Sequence, residues 1–179
     1  MRRLRTLSAA LLTALVTLAL SVSIAFADSP HFIFANSSLD SAGNLVCSFK
    51  EAGLGTTLST ATISCSASAS ATWACLNGGG NHPKAANKET FSGEVSQSGN
   101  FPVRNGQTTG SLTVNPPGPD GFSCPSGQRL VLAEVSYTNI AVSGEGATTL
   151  ASPSTQEACL LQGVGICRER PLQVLANVR

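Results

Sequence analysis

The residues best suited to chemistry lie in two segments that are predicted to be loops, residues 76–89 and residues 115–128. The first is rich in glycine and carries amide, ammonium and imidazole groups, and the second is rich in proline and glycine. Such groups can hydrogen-bond a polar ligand such as a glycan, and an aromatic ring can offer it an apolar surface. The candidate ligand-binding residues are Asn77, Asn81, His82, Lys84, Asn87, Lys88, Asp120 and Phe122.

A simpler interpretation of the same segments is turn chemistry. The glycines at positions 78–80 can supply positive φ angles, and asparagine side chains commonly close turns on their own backbone. The triple glycine does not match the phosphate-binding pattern G-x-x-x-x-G-K-[ST]. Because turn chemistry needs no ligand, both interpretations stay open at this point.

Catalytic signatures are missing from the chain. There is no G-x-S-x-G nucleophile elbow, and a triad on His82 would need Asp120 and a serine that only the fold could bring together. The acidic residues are predicted to lie mostly beside turns or on outward faces, with no pair suited to glycoside hydrolysis. They include Asp40, Glu51, Glu89, Glu94, Asp120, Glu134 and Glu145. We therefore expect no enzymatic activity and no cofactor, and a hydrolase that uses His82 is the less favoured alternative.

The six cysteines predict a disulfide framework rather than a metal site. An even number in an exported chain favours disulfides, and no two cysteines have the C-x-x-C spacing of zinc sites. Two pairs are suggested by inward strand positions and by strand ends beside long loops, and a third would close a short loop near the C-terminus. The predicted pairs are Cys47–Cys65, Cys75–Cys124 and Cys159–Cys167, and other connectivities stay open.

The N-terminal residues 1–27 have the pattern of a cleavable signal peptide. Arg2, Arg3 and Arg5 form a positive start, residues 11–20 are largely apolar, and Ala25-Phe26-Ala27 supplies the small-x-small cleavage pattern. An uncleaved membrane anchor is the alternative, since about 20 apolar residues can span a bilayer. The sharp change to polar sequence at residue 28 favours cleavage, so we expect a secreted protein.

Composition narrows the class of partner. Cleavage after residue 27 would remove three of the 11 Lys and Arg and none of the 10 Asp and Glu, which leaves a net charge of −2. This value argues against nucleic acid or an anionic membrane as a partner, because both require a basic surface. The remaining length suits a single domain, and the abundance of β-branched and hydroxyl residues favours strands.

The strongest periodic signal runs through residues 61–75, where apolar side chains occupy every odd position and hydroxyl side chains occupy the even positions from 62 to 72. Strict alternation predicts a strand with one face toward the core. Its length predicts a bend or bulge within residues 67–71, and a phase shift in a later strand predicts a bulge or a strand end near Asn139. Asn105-Gly106 predicts a hairpin turn. About seven such strands predict an all-β fold, an antiparallel Ig-like β-sandwich over residues 28–143.

The C-terminal part is predicted to be an appendage. Residues 144–154 are small and polar and predict a linker, and Ser154-Thr-Gln-Glu157 matches a capping box that predicts a short helix. Residues 144–179 are therefore interpreted as a linker and a tail closed by Cys159–Cys167.

The segments around both candidate loops resemble a family of small secreted proteins from actinomycete-type bacteria. The resemblance rests on the run Cys75-Leu-Asn-Gly-Gly-Gly-Asn-His-Pro-Lys-Ala-Ala-Asn-Lys88, on Gly110-Ser-Leu-Thr-Val-Asn-Pro-Pro-Gly-Pro119 and on Phe122-Ser-Cys-Pro-Ser-Gly-Gln128. It covers residues 31–142 and implies export and a shared sandwich, but no activity. The chain departs from the family at Cys47 and after Val142.

These observations favour a secreted, non-enzymatic binding module with its site on residues 76–89 and 115–128. The expected partner is an extracellular ligand, either a glycan or a protein, with no nucleic acid and no membrane once the signal peptide is removed. The alternative is a secreted inhibitor or effector that presents the same loops to another protein.

Overall fold

The computed structural model describes residues 29–78 and 87–161, and these residues form an all-β structure. Eight strands are present in the described ranges, and every strand pairing is antiparallel. The strands are β1 (His31–Leu39), β2 (Leu45–Ala52), β3 (Thr60–Asn77), β4 (Lys88–Pro102), β5 (Gln107–Val114), β6 (Gln128–Ser143), β7 (Thr148–Leu150) and β8 (Gln156–Cys159).

The strands form two sheets that enclose one main core. One sheet has the order β1-β2-β5, and the other has the order β4-β3-β6, with both β7 and β8 paired to the far side of β6. Inward side chains of both sheets meet in a single apolar cluster, as expected when two amphipathic sheets stack face to face. The all-β, sandwich-like arrangement predicted from the alternating pattern is therefore confirmed.

Strand β3 follows the predicted alternation. Its odd positions from Ala61 to Ala71 are buried and its even positions face outward. Its register with β4 is unbroken over the whole ladder, so the bend or bulge predicted within residues 67–71 does not interrupt that pairing. The irregularities occur against β6, where one extra β6 residue is accommodated near Asn139, which has a positive φ of 54°, and another near Ala133. Of the two alternatives predicted near Asn139, the bulge is present, and the strand does not end there because β6 continues to Ser143.

The Asn105-Gly106 turn is also present, although its two strands separate immediately. Both residues have positive φ angles, 52° and 69°, which is the backbone conformation that Asn-Gly supplies at least cost. Arg104 and Gln107 exchange two backbone hydrogen bonds across the turn. The hairpin ladder ends there because β4 continues in one sheet and β5 in the other.

The predictions for residues 144–161 were wrong. Residues 144–154 are not a linker, because they include β7, and Ala151 lies in the core. The capping-box segment is not a helix, because β8 begins at Gln156 and pairs with β6. The Gln156 amide donates to the Ser37 carbonyl oxygen at 2.9 Å and to its hydroxyl at 3.0 Å. An available sheet edge thus outweighs a local capping signal, and the sandwich extends beyond residue 143.

Two of the predicted disulfides are present. Cys47–Cys65 joins β2 to β3 and so links the two sheets, and Cys75–Cys124 joins the end of β3 to the loop before β6. Cys159 is also disulfide-bonded. Its predicted partner Cys167 lies outside the described residues.

Tyr137, the single tyrosine of the chain, provides a titration signal for the core. It is fully buried on β6, and its hydroxyl donates to the Gly43 carbonyl oxygen at 2.9 Å. Burial raises the pKa of Tyr137 to about 12. We expect the near-ultraviolet absorbance of tyrosinate to rise only well above the ordinary pKa, or together with unfolding.

The raised pKa of Tyr137 determines the direction in which the stability of the fold changes with pH. The neutral phenol is the form that the folded state favours, so its contribution is complete below pH 10 and declines as the pH rises toward 12. Absorbance and circular dichroism are measured along one alkaline titration, with Tyr137→Phe as the baseline. Titration at the ordinary pKa with full retention of the β-sheet signal would contradict this burial.

Candidate functional site

The described parts of the two segments predicted to carry the site, residues 76–78, 87–89 and 115–128, lie at one end of the sandwich. β3 ends at Asn77 and β6 begins at Gln128, and these two residues face each other in the ladder. β4 begins beside them at Lys88, which faces Ala74 of β3. The Cys75–Cys124 disulfide then ties the loop of residues 115–128 to the same strand end.

An open depression lies at this strand end. It encloses about 430 Å³ and is lined by Leu76, Asn77, Gly78, Gly127, Gln128 and Arg129. Gly127 has a φ of 82°, and the backbone N–H of Gln128 donates to the Pro125 carbonyl oxygen at 3.1 Å. A tight turn therefore leads the chain into β6. Glycine suits that position because a side chain would strain a positive φ.

Amide side chains dominate the polar groups around the depression. The Asn87 amide nitrogen is 3.4 Å from the Gln128 side-chain oxygen, which is a long hydrogen bond, and Asn77 lies opposite Gln128. The side chains of Lys88 and Arg129 are exposed nearby and bring positive charge to this end. We call Asn77, Asn87 and Gln128 the amide cluster. Each member carries both a hydrogen-bond donor and an acceptor.

The loop of residues 115–128 is anchored to β3 at one further point and is stabilised internally by a turn. The Trp73 indole nitrogen donates to the Pro117 carbonyl oxygen at 3.0 Å. The Phe122 amide donates to the Pro119 carbonyl oxygen at 3.0 Å across a turn in which Gly121 has a φ of 78°. The loop prolines further restrict the backbone. Trp73, which the alternation pattern assigned only to the core, therefore also holds this loop.

The predicted site residues have different outcomes. Asn77 and Asn87 come together in the amide cluster, with Lys88 next to it. Asp120 is exposed and Phe122 is half-buried on the anchored loop, but neither lines the depression. The remaining candidates, Asn81, His82 and Lys84, lie outside the described residues. Gln128 and Arg129, which sequence reasoning did not include, contribute to the lining instead.

One acidic residue was assigned wrongly. Glu51 was predicted with the carboxylates beside turns or on outward faces, whereas it is fully buried, with an exposed fraction of 0%. Leu45, Cys47 and Phe49 are the inward residues of β2, and position 51 continues the same alternation. The alternation of β2 therefore placed position 51 on the inward face, but a charged residue was not expected to be buried there.

A second polar surface covers the outer face of β3 and β4. Its side chains are hydrogen-bonded to each other across the two strands: Thr72 to Thr90 at 2.9 Å, Ser92 to Ser70 at 3.2 Å, Ser68 to Glu94 at 2.6 Å and Thr62 to Asn100 at 3.0 Å. These cross-strand pairs stabilise the ladder. Many of the donors on this surface are therefore used within the sheet itself.

Comparisons with known proteins identify no relative: no family model, no curated protein and no solved structure matches the chain. Within residues 29–78 and 87–161, no helix is long and apolar enough to cross a membrane. The same ranges hold no group of three or more His, Cys, Asp and Glu side chains that could bind a metal ion.

Proposed function

We propose that this chain is an exported, non-enzymatic binding module whose ligand is a glycan bound at the amide cluster. The observation that carries the proposal is the junction made by Cys75–Cys124, which holds an anchored loop beside an open depression bordered by amide side chains. Loops on a rigid sheet scaffold are the usual location of binding sites.

The chemistry of the depression favours a neutral polyhydroxyl ligand. Sugar hydroxyls donate and accept hydrogen bonds, and Asn77, Asn87 and Gln128 offer both roles in return. An open depression suits one face of a polymer better than a small molecule, which usually requires an enclosing pocket. The charges of Lys88 and Arg129 extend the range to glycans with acidic substituents.

The proposal includes export and an Ig-like topology. The signal-peptide pattern of residues 1–27 and the Cys47–Cys65 and Cys75–Cys124 disulfides support export. The strand orders β1-β2-β5 and β4-β3-β6-β7 correspond to the A-B-E and C′-C-F-G orders of Ig-like sandwiches, which supports that topology. Membership in the secreted bacterial family that the loop segments resemble is part of the same proposal.

Binding of the protein from residue 28 onward to chitin, peptidoglycan and soluble glycans tests this function. We expect Gln128→Ala to weaken binding by about tenfold, because one well-made hydrogen bond contributes roughly that much. Gln97→Ala is the matched control, since this glutamine is exposed on β4 and its side-chain amide donates to the neighbouring Ser98 carbonyl oxygen at 3.1 Å. Trp73 fluorescence reports on the loop during titration.

Two outcomes would reject the glycan assignment. Binding that is equally sensitive to Gln97→Ala and to Gln128→Ala would show that the amide cluster is not the site. Recovery of a protein partner from culture supernatant, without any glycan binding, would favour the inhibitor or effector instead.

A further inference from the structure

A buried carboxyl group lies at the end of the sandwich opposite the amide cluster. The ladder of β3 and β6 runs from Asn77–Gln128 at one end to Ser64–Ser143 at the other, and Glu51 lies near the second end. Its side chain has an exposed fraction of 0%, and neither carboxyl oxygen makes a hydrogen bond of good geometry in the described part of the chain, although the Glu145 backbone amide lies near enough to interact with the carboxyl. Burying an ionised carboxylate without a partner carries a large free-energy cost.

The cover over this carboxyl is the turn of residues 144–147, between β6 and β7. A Cβ atom placed on Gly144 would lie 2.4 to 2.6 Å from the three carboxyl atoms of Glu51, so any side chain at position 144 would have to displace the carboxyl group. The turn is closed by a hydrogen bond from the Gly144 amide to the Ala147 carbonyl oxygen at 2.8 Å. It leads directly into β7, which is only three residues long.

The charged neighbours of Glu51 come from two elements. Glu145 in the turn adds a second carboxylate, which accepts a hydrogen bond from the Thr62 amide at 2.8 Å. His31 on β1 is the other neighbour, and its Nδ1 is 2.8 Å from the Ser29 carbonyl oxygen. β5 contributes the uncharged Thr108, whose hydroxyl donates to the Pro102 carbonyl oxygen.

Burial raises the pKa of Glu51 above its ordinary value of 4.5, and the Glu145 carboxylate raises it further. The Glu145 backbone amide and His31 act in the opposite direction. Because the folded state favours the protonated acid, Glu51 contributes fully to stability below pH 4.5, and the contribution declines as the pH rises above that value.

We propose that Glu51 and the turn of residues 144–147 form an acid-closed latch. While the carboxyl holds its proton, Gly144 packs against it and the turn stays closed. When the proton is lost to water, the buried charge and the adjacent Glu145 carboxylate favour release of the turn together with β7. That strand has only three residue pairs with β6, so release of the turn and the strand breaks few ladder hydrogen bonds and gives the carboxylate access to water.

Opening of the latch would expose a defined surface. Ala151 follows β7 and is buried in the core, and Ser152 exchanges backbone hydrogen bonds with Ala35 and Ser37 of β1. Release of this segment would uncover apolar core surface and free backbone groups of β1 for another strand. Exposed Ile33, Phe34 and Leu150 already place apolar side chains on β1 and β7.

Hydrogen exchange of the full chain, read by mass spectrometry over residues 144–152, tests the latch at about pH 4 and about pH 7 after correction for intrinsic rates. In the wild type we expect protection of this segment to fall by about tenfold or more at the higher pH, while residues 72–78 keep theirs. Glu51→Gln should remove this pH dependence. Glu145→Gln, which keeps the buried acid, should reduce it only in part.

Equal protection of residues 144–152 in the wild type at both pH values would overturn the proposal. So would an unchanged pH dependence in Glu51→Gln. Should the buried glutamine amide prevent folding, Glu51→Met replaces it, because this residue is similar in length and carries no titratable group. If the wild type shows no difference in protection between the two pH values, the latch is rejected whether or not any Glu51 variant folds.

Discussion

Replacing Cys75 and Cys124 together by alanine is expected to lower the free energy of unfolding by about 4 kcal/mol. The two cysteines are 49 residues apart, and cross-linking a loop of that length removes about this much chain entropy from the unfolded state. In the folded state the change would release the loop of residues 115–128 from the end of β3. Glycan binding is therefore expected to weaken beyond any loss caused by unfolding.

The matched control is the double alanine variant of Cys47 and Cys65. This bridge closes a separation of 18 residues, so its loss is expected to cost about 3 kcal/mol. This bridge lies in the core between β2 and β3. It does not link either candidate loop to a strand. Urea unfolding followed by circular dichroism measures both variants under conditions where each remains folded in the absence of urea.

Trp73 fluorescence separates local from global effects. Its indole donates to the Pro117 carbonyl oxygen, so we expect the native-state emission to change when Cys75 and Cys124 are replaced, but not when Cys47 and Cys65 are. Equal changes in the two variants, or an unaltered midpoint after loss of Cys75–Cys124, would contradict the role given to this disulfide.

Phe49→Ala is expected to give the second large effect, a loss of about 3–5 kcal/mol. Phe49 is fully buried on β2, and its ring meets that of Phe101 edge to face, with centroids 4.9 Å apart and an interplanar angle of 86°. Gly110 of β5 lies opposite Phe49 in the ladder, and a Cβ there would be 2.4 Å from the Phe101 ring. The two rings thus fill the space that a side chain at Gly110 would occupy. Truncation of Phe49 to alanine would leave a cavity there.

Two variants make this prediction specific to the ring pair. Phe101→Ala should cost less than Phe49→Ala, because Phe101 is only partly buried. Gly110→Ala should destabilise the fold by about 1–3 kcal/mol, because it adds volume to a space that the two rings already fill. All three are measured by urea unfolding. A loss below about 1 kcal/mol for Phe49→Ala would show that the core refills the site and would refute the account.

The parts of the fold that were predictable depend on local or short-range signals. Strict alternation in β3 determines which of its faces is inward, and Asn105-Gly106 has the φ preferences that its turn requires. β8 could not be predicted in this way. Its segment has a valid helix-capping pattern, and only the tertiary pairing with β6 favours a strand.

Only part of the candidate site was predicted, because the position of Gln128 depends on the pairing of two strands that are distant in the sequence. Asn77 and Asn87 could be assigned to a loop, and the Cys75–Cys124 pair brought the second loop to it. Gln128 joins them because the β3–β6 ladder slips twice at the β6 bulges. Continued from Ser64–Ser143 without those slips, the register would place Asn77 opposite Leu130 instead, and no sequence pattern specifies both slips in advance.

The central position of β3 has a consequence for the order of folding. One of its partners, β4, follows it directly, whereas β6 follows only after β5 and the loop of residues 115–128. A hairpin of neighbouring strands forms within microseconds, but pairings that distant along the chain are typical of slow, millisecond-to-second folders. Between these two steps, the β6-facing edge of β3 is long and uncharged. During that interval it can template pairing with a strand of another unfolded chain.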